Sequence, residues 1–110
     1  MLLQEPNLNV WLYGPPVDMR KQFDGLAALA QSGMEVRANN GDVFVFLNRR
    51  RTMMKALYYS AGGFCLWAKR LERGRFSKTS NETKEVLTWS QLQRLIAGIN
   101  WQERPQNKRL

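Results

Sequence analysis

The sequence contains no histidine. Its absence removes the commonest general base and the commonest transition-metal ligand. No zinc site is expected, and carboxylates are left as the only ligand set, for magnesium. Cysteine occurs once, as Cys65, so no intrachain disulfide can form, which suits a reducing compartment. Without a histidine to activate it, this thiol reads as inert and buried. Acidic residues are scarce, nine against 17 lysines and arginines. No apolar run approaches the roughly 20 residues that cross a bilayer. The opening MLLQEPNLN has no basic stretch and too short an apolar one for a signal peptide, so a cytoplasmic protein is expected. Neither G-x-x-x-x-G-K-[ST] nor G-x-G-x-x-G occurs, which leaves a phosphate-cradling loop unsupported.

What the chain does have is concentrated. Its 110 residues suit one domain with a single modest core. Four tryptophans, three tyrosines and five phenylalanines supply apolar surface to bury. The net charge is +8. Between residues 49 and 78 lie nine cations: Arg49, Arg50, Arg51, Lys55, Lys69, Arg70, Arg73, Arg75 and Lys78. Glu72 is the only acid among them, so this stretch alone accounts for the net charge of the whole chain. A basic surplus gathered on one segment points to a polyanion, nucleic acid before an acidic membrane surface. The membrane option is the weaker, because neither expected helix carries a continuous Lys/Arg face.

The chain reads as a flexible lead over 1–9, one domain over 10–101 and a mobile basic tail over 102–110. Val10-Trp11-Leu12-Tyr13 is β-prone and is stopped by Gly14-Pro15-Pro16. A helix is expected next, with Asp18 as N-cap and Met19, Phe23, Leu26, Ala27 and Ala30 as its apolar stripe, ending at Gly33. Asp24 is expected to pair with Arg20 at i, i+4. Val43 to Leu47 is continuously apolar, as in a strand buried on both faces. Met53 to Tyr59 and Phe64 to Leu71 alternate, with Ser60-Ala61-Gly62-Gly63 as the hairpin loop between them. A short strand start is expected at Arg75-Phe76-Ser77 and another short strand at Val86-Leu87. Thr88-Trp89-Ser90-Gln91 matches a capping box, and Leu92, Leu95, Ile96 and Ile99 form the apolar face of a second helix. Trp101 is expected to fold back onto the core. The expected class is α+β, a mainly antiparallel sheet of four to five strands with two helices in the order β-α-β-β-β-β-α.

No catalytic site emerges from these residues. Two-metal phosphoryl transfer needs clustered carboxylates, and the three aspartates, Asp18, Asp24 and Asp42, do not cluster in sequence. No metal, cofactor or small-molecule substrate is expected. The binding signal is different. If the strands 43–47 and 64–71 run the same way with an antiparallel strand between them, their C-terminal ends meet. The arginine triplet and the Lys69–Arg75 group then share one end of the sheet. Guanidinium forks donate two hydrogen bonds at once to phosphate, and counterion release supplies the affinity. The alternative is a set of solvated loop charges. Arg20 and Lys21 either extend the basic face or form a solvated helix flank. Tyr59 and Trp67 are candidates for base stacking, with the core as the expected place for Trp67.

These residues resemble the small accessory protein, TnpB or second-frame protein, of insertion sequences in the IS sixty-six family. The similarity runs through Pro16-Val17-Asp18-Met19-Arg20-Lys21, Phe23-Asp24-Gly25-Leu26, Val43-Phe44-Val45-Phe46 and Asn48-Arg49-Arg50-Arg51. It continues through Lys55, Leu57-Tyr58, Gly63 to Glu72 and Gly74-Arg75-Phe76, then Leu87-Thr88, Gln91-Leu92, Leu95, Gly98-Ile99 and Trp101. Gln22 stands where the family usually has Gly, and Ser60 and Asn100 where it usually has Asp. The resemblance implies a non-catalytic role in transposition in the bacterial cytoplasm. A separate transposase would carry the strand-transfer carboxylates. It assigns no binding residues. The expected partners are DNA, at the ends of the element, and the transposase of the same element. The alternative is a protein-interaction module that docks on transposase without touching DNA.

Overall fold

The computed structural model describes residues 8–101. The elements are β1 (Val10–Tyr13), α1 (Phe23–Gly33), β2 (Val43–Leu47), β3 (Met53–Ser60), β4 (Gly63–Arg70), β5 (Glu85–Leu87) and α2 (Trp89–Ile96). Their order is the one expected. The strands form one sheet, β4-β3-β2-β1-β5. All neighbours are antiparallel except β1 and β2, which run parallel with Val10 beside Val43. Parallel neighbours need a crossover, and α1 is that crossover.

β2 sits at the centre because both of its faces are apolar. Val43, Val45 and Leu47 pack with Val10, Leu12, Met54, Ala56 and, from α2, Leu92 and Leu95. Phe44 and Phe46 point the other way, onto Leu57 and, from α1, Leu26 and Ala30. The two helices therefore cover opposite faces of the sheet. Trp101 folds back into the α2 side and is buried.

α1 begins later than the sequence predicts. Asp18 is not its N-cap; Gln22 holds that position without a side-chain cap bond. The Asp18 carboxylate instead accepts from the Arg20 backbone N–H at 2.9 Å and from its guanidinium at 2.7 Å. The expected Arg20–Asp24 pair is thereby displaced. The Lys55 ammonium also draws in the carbonyls of Met19 and Lys21, at 2.8 and 2.9 Å, which holds residues 19–21 outside the helix. Phe23, expected in the apolar stripe, is 45% exposed at the first turn.

α2 matches its signals. The Thr88 hydroxyl accepts from Gln91 N and the Gln91 side chain accepts from Thr88 N, at 3.0 and 2.8 Å. At the far end Ile99 N bonds to Arg94 O and Gly98 N to Leu95 O, a Schellman closure. That closure turns the chain, so Ile99 leaves the apolar face and is 46% exposed. The β3–β4 loop is a two-residue turn, with Ala61 and Gly62 both at positive φ (51° and 85°), the geometry that matches strand twist. The strand start expected at Arg75–Ser77 is absent; Phe76 is buried in the α2-side core, and its N–H donates to Arg51 O, in the connection between β2 and β3, at 2.7 Å.

Of the expected lead and tail, residues 1–7 and 102–110 lie outside the described residues. Leu8 and Asn9 belong to the fold: Leu8 packs on the α2-side core, and Asn9 O accepts from Val43 N at 3.0 Å.

Gly14 closes β1 against the 79–82 loop. Its N–H donates to Glu82 O at 2.8 Å, and Thr79 Oγ1 donates to its carbonyl at 3.2 Å. A Cβ there would collide with the Ser80 carbonyl and lie 2.5 Å from that of Glu82. Both obstacles are backbone, so the loop must move. Gly14→Ala is expected to cost about 1–3 kcal/mol, the usual penalty of overpacking. A thermal melt checks this, with Tm falling by about 5–15 °C.

Candidate nucleic-acid interface

The β2–β3 connection is built by Asn48. Its Oδ1 accepts from Thr52 N and Met53 N at 2.9 and 3.0 Å, and its Nδ2 donates to Thr52 Oγ1 at 3.1 Å. Arg51 N returns to Asn48 O at 3.0 Å, closing a β-turn with Arg49 and Arg50 at its centre. Both are exposed. Arg51 takes a left-handed conformation (φ 59°) and turns inward, where its Nη1 donates to Phe76 O at 3.1 Å.

The second cluster is held against this turn at two points. Leu71 N donates to Thr52 O at 2.8 Å and Phe76 N to Arg51 O at 2.7 Å. The intervening residues, Arg73 and Arg75 among them, therefore stand beside the arginine turn. Met53 faces Arg70 across β3 and β4, so the C-terminal ends of β2 and β4 meet. β1 ends on the same side, where Val17 N bonds to Leu47 O at 2.9 Å. Lys78 joins Arg49 and Arg51 around a cleft of about 160 Å³, which is also lined by Gly14, Pro16, Leu47, Asn48, Thr79 and Asn81.

Arg49, Arg50, Arg73, Arg75 and Lys78 are exposed and have no ion-pair or side-chain hydrogen-bond partner among the described residues. Two nearby acids are taken up locally. Glu72 pairs with Arg70 at 3.1 Å, and Asp18 pairs with Arg20 at 2.7 Å. The hydrogen-bonded Arg20 guanidinium holds the Asp18 carboxyl well below the usual carboxylate range. Asp18 and Arg49 line a second cleft with Pro16 and Val17, which brings the exposed Arg20–Lys21 segment to the margin of the same end.

Two residues named from the sequence are occupied elsewhere. Lys55 is not on this rim: it is 7% exposed on the α1 face, and its ammonium donates to Met19 O, Lys21 O and Gln22 Oε1. Its place in β3 makes it face inward, and the nearby carbonyls solvate it. Lys69 points to the α2 face and donates to Ile96 O at 2.8 Å, at the negative end of that helix. Tyr59 lies near the β3–β4 turn, at the opposite end of the sheet, edge-on to Phe64. Trp67 packs against the core.

The sequence does not mark Gly14, Pro16, Asn48, Thr79 or Asn81 as site residues, yet all five line the first cleft. Asn48 ahead of three arginines was the one available signal, as Asn favours the first position of a turn. The approach of Thr79 and Asn81 comes from long-range pairing alone.

Among the described residues, no three of Cys, Asp and Glu gather as a metal site. No described helix is long and apolar enough to cross a membrane. Asp42 is buried and accepts from Asn9 N, Trp11 Nε1 and Asn40 Nδ2 at 2.9–3.1 Å, which makes it a structural anchor.

No solved structure is detectably similar to the chain. Two Sinorhizobium fredii proteins are. The uncharacterized protein y4hO is 35% identical over 102 residues, covering 92% of this chain and 89% of its own length. The uncharacterized protein y4jC is 30% identical over 95 residues, covering 86% of this chain and 81% of its own length. The family described as IS66 Orf2-like protein matches residues 8–106, which takes in the whole sheet, both helices and the basic rim. The chain thus belongs to the IS66 Orf2-like family, which supports an accessory role in an insertion sequence.

Proposed function

We propose that this protein is a non-catalytic DNA-binding accessory of transposition. It works in the bacterial cytoplasm and grips DNA phosphates at the ends of its element with the rim at the C-terminal ends of β2 and β4. The observation that carries this reading is the gathering of five exposed cations without acidic partners among the described residues: Arg49, Arg50, Arg73, Arg75 and Lys78. Arg51 and Arg70 stand behind them with donors to spare, since a guanidinium offers five N–H groups. A non-catalytic role fits the aspartates. Asp18 is engaged by Arg20, Asp42 is buried, and Asp24 lies on α1.

The test is titration with element-end and scrambled duplexes across a salt series. With ~5 phosphates neutralised, log K should fall against log salt with a slope of about −4.5, a ~500-fold loss between 50 and 200 mM. A slope shallower than about −2 would remove the rim as the source of binding.

A second reading, docking on the transposase, draws on the outer edge of β4. Leu71 N bonds to Thr52 O, and pairs alternate along an antiparallel ladder. Phe64, Leu66, Ala68 and Arg70 therefore turn their backbone N–H and C=O groups away from β3. β4 ends the sheet, so these groups can accept an added strand. Ala68→Pro removes one outward donor without touching the ladder to β3. It is expected to keep the fold and the DNA affinity while abolishing co-purification with transposase after nuclease treatment. Undiminished co-purification would count against this edge.

A further inference from the structure

We infer that the cleft between the β2–β3 turn and the 78–81 segment is a discrete seat for one phosphate group. This rests on the DNA-binding reading but goes beyond it, because a diffuse cationic rim needs no seat. Size suits a small anion. At about 160 Å³ the cleft is roughly half the smallest volume usual for drug-sized ligands, and it has room for one tetrahedral oxyanion with part of its hydration.

Composition agrees with size. Arg49, Arg51 and Lys78 bring three cations from two separate segments, and no Asp or Glu is among the described residues that line the cleft. Arg51 gives one N–H to Phe76 O, which fixes its position and leaves the others available. Asn81 is an exposed neutral donor, and Thr79 is tied to the Gly14 carbonyl. Gly14 lets the 79–82 loop come in close enough to form the far wall. The walls are therefore held by backbone bonds before any ligand arrives, which lowers the ordering cost of binding. The shared ligand chemistry is a phosphate oxyanion. It would come from a backbone phosphodiester or from the terminal phosphate of a cut strand.

The experiment uses the full chain and inorganic phosphate, followed by amide NMR at constant ionic strength against chloride. Saturating shifts are expected at Gly14, Asn48, Thr79 and Asn81. Lys78→Gln should weaken phosphate binding at least about tenfold, the loss of one charge-assisted hydrogen bond. Arg73→Gln, outside the cleft, should leave it unchanged. Duplexes with 5′-phosphate and 5′-hydroxyl ends then separate the sources. Tighter binding of the phosphorylated duplex, lost in Lys78→Gln, assigns a terminal phosphate. Equal binding, weakened by Lys78→Gln, assigns the backbone. Equal responses to phosphate and chloride, or equal effects of Lys78→Gln and Arg73→Gln on phosphate, overturn the seat. The phosphate titration contains no DNA. Steep salt-dependent DNA binding alongside such a failure would sink the seat alone, whereas absent DNA binding would sink the proposed function.

Discussion

Replacing Arg49, Arg50, Arg73 and Arg75 together by alanine is expected to weaken duplex binding by on the order of 10³ at 0.1 M salt. The salt slope should flatten from about −4.5 to about −1, because each phosphate contact contributes ~0.9 to it. All four side chains are exposed, and none holds an ion pair among the described residues, so little stability is at stake. Arg51 is left intact because its Nη1 helps to hold the loop that carries Arg73 and Arg75. Fluorescence anisotropy across a salt series, beside a thermal melt, separates the two effects. A variant with unchanged Tm and unchanged slope would show that these guanidinium groups do not meet DNA. Single alanines should each flatten the slope by ~0.9, and similar effects from both loops would mark one continuous footprint.

Lys55→Met is expected to act on stability alone. The ammonium is buried and donates to Met19 O, Lys21 O and Gln22 Oε1 at 2.8, 2.9 and 3.4 Å. Two effects compete. Burying a cation is costly, so methionine of similar length relieves desolvation. Removing the donor, however, orphans two carbonyls, each at about 1–3 kcal/mol when water cannot reach them. Both carbonyls belong to the segment that leads into α1, and the geometry of that segment depends on them. The second effect should win, by about 2–3 kcal/mol, lowering Tm by roughly 10–20 °C. Urea melts check the magnitude. Under conditions where the variant stays folded, its DNA affinity and salt slope should match those of the parent. A stable variant with a flatter slope would return Lys55 to the binding face.

Much of the fold is legible along the chain because local chemistry agrees with the final environment. VFVFL is apolar at every position, and β2 is buried on both faces. Thr88 and Gln91 stand at capping-box spacing, and both bonds form. The alternation in 53–59 and 64–71 assigns Leu57 and Leu66 to one face and Met54 and Trp67 to the other. Where the reading fails, a side-chain bond or the cover of a neighbouring element overrides the local preference. Asp18 looks like a helix cap, but Arg20 claims its carboxylate while Lys55, 36 residues from Met19, claims the first carbonyls. Lys55 looks like one more cation in a basic stretch, but strand alternation turns it inward.

Composition and order alone determined that the chain is basic, lacks histidine, and carries its net charge on one segment between two helices. Those properties are written residue by residue and need no partner. Which of the nine cations face solvent together was decided only by tertiary structure. The bonds Leu71 to Thr52, Phe76 to Arg51 and Val17 to Leu47 bring three chain segments to one end of the sheet. The close approach at Gly14 adds a fourth. Charge is a property of a side chain, but a charged surface is a property of register, and register is settled by which strands pair.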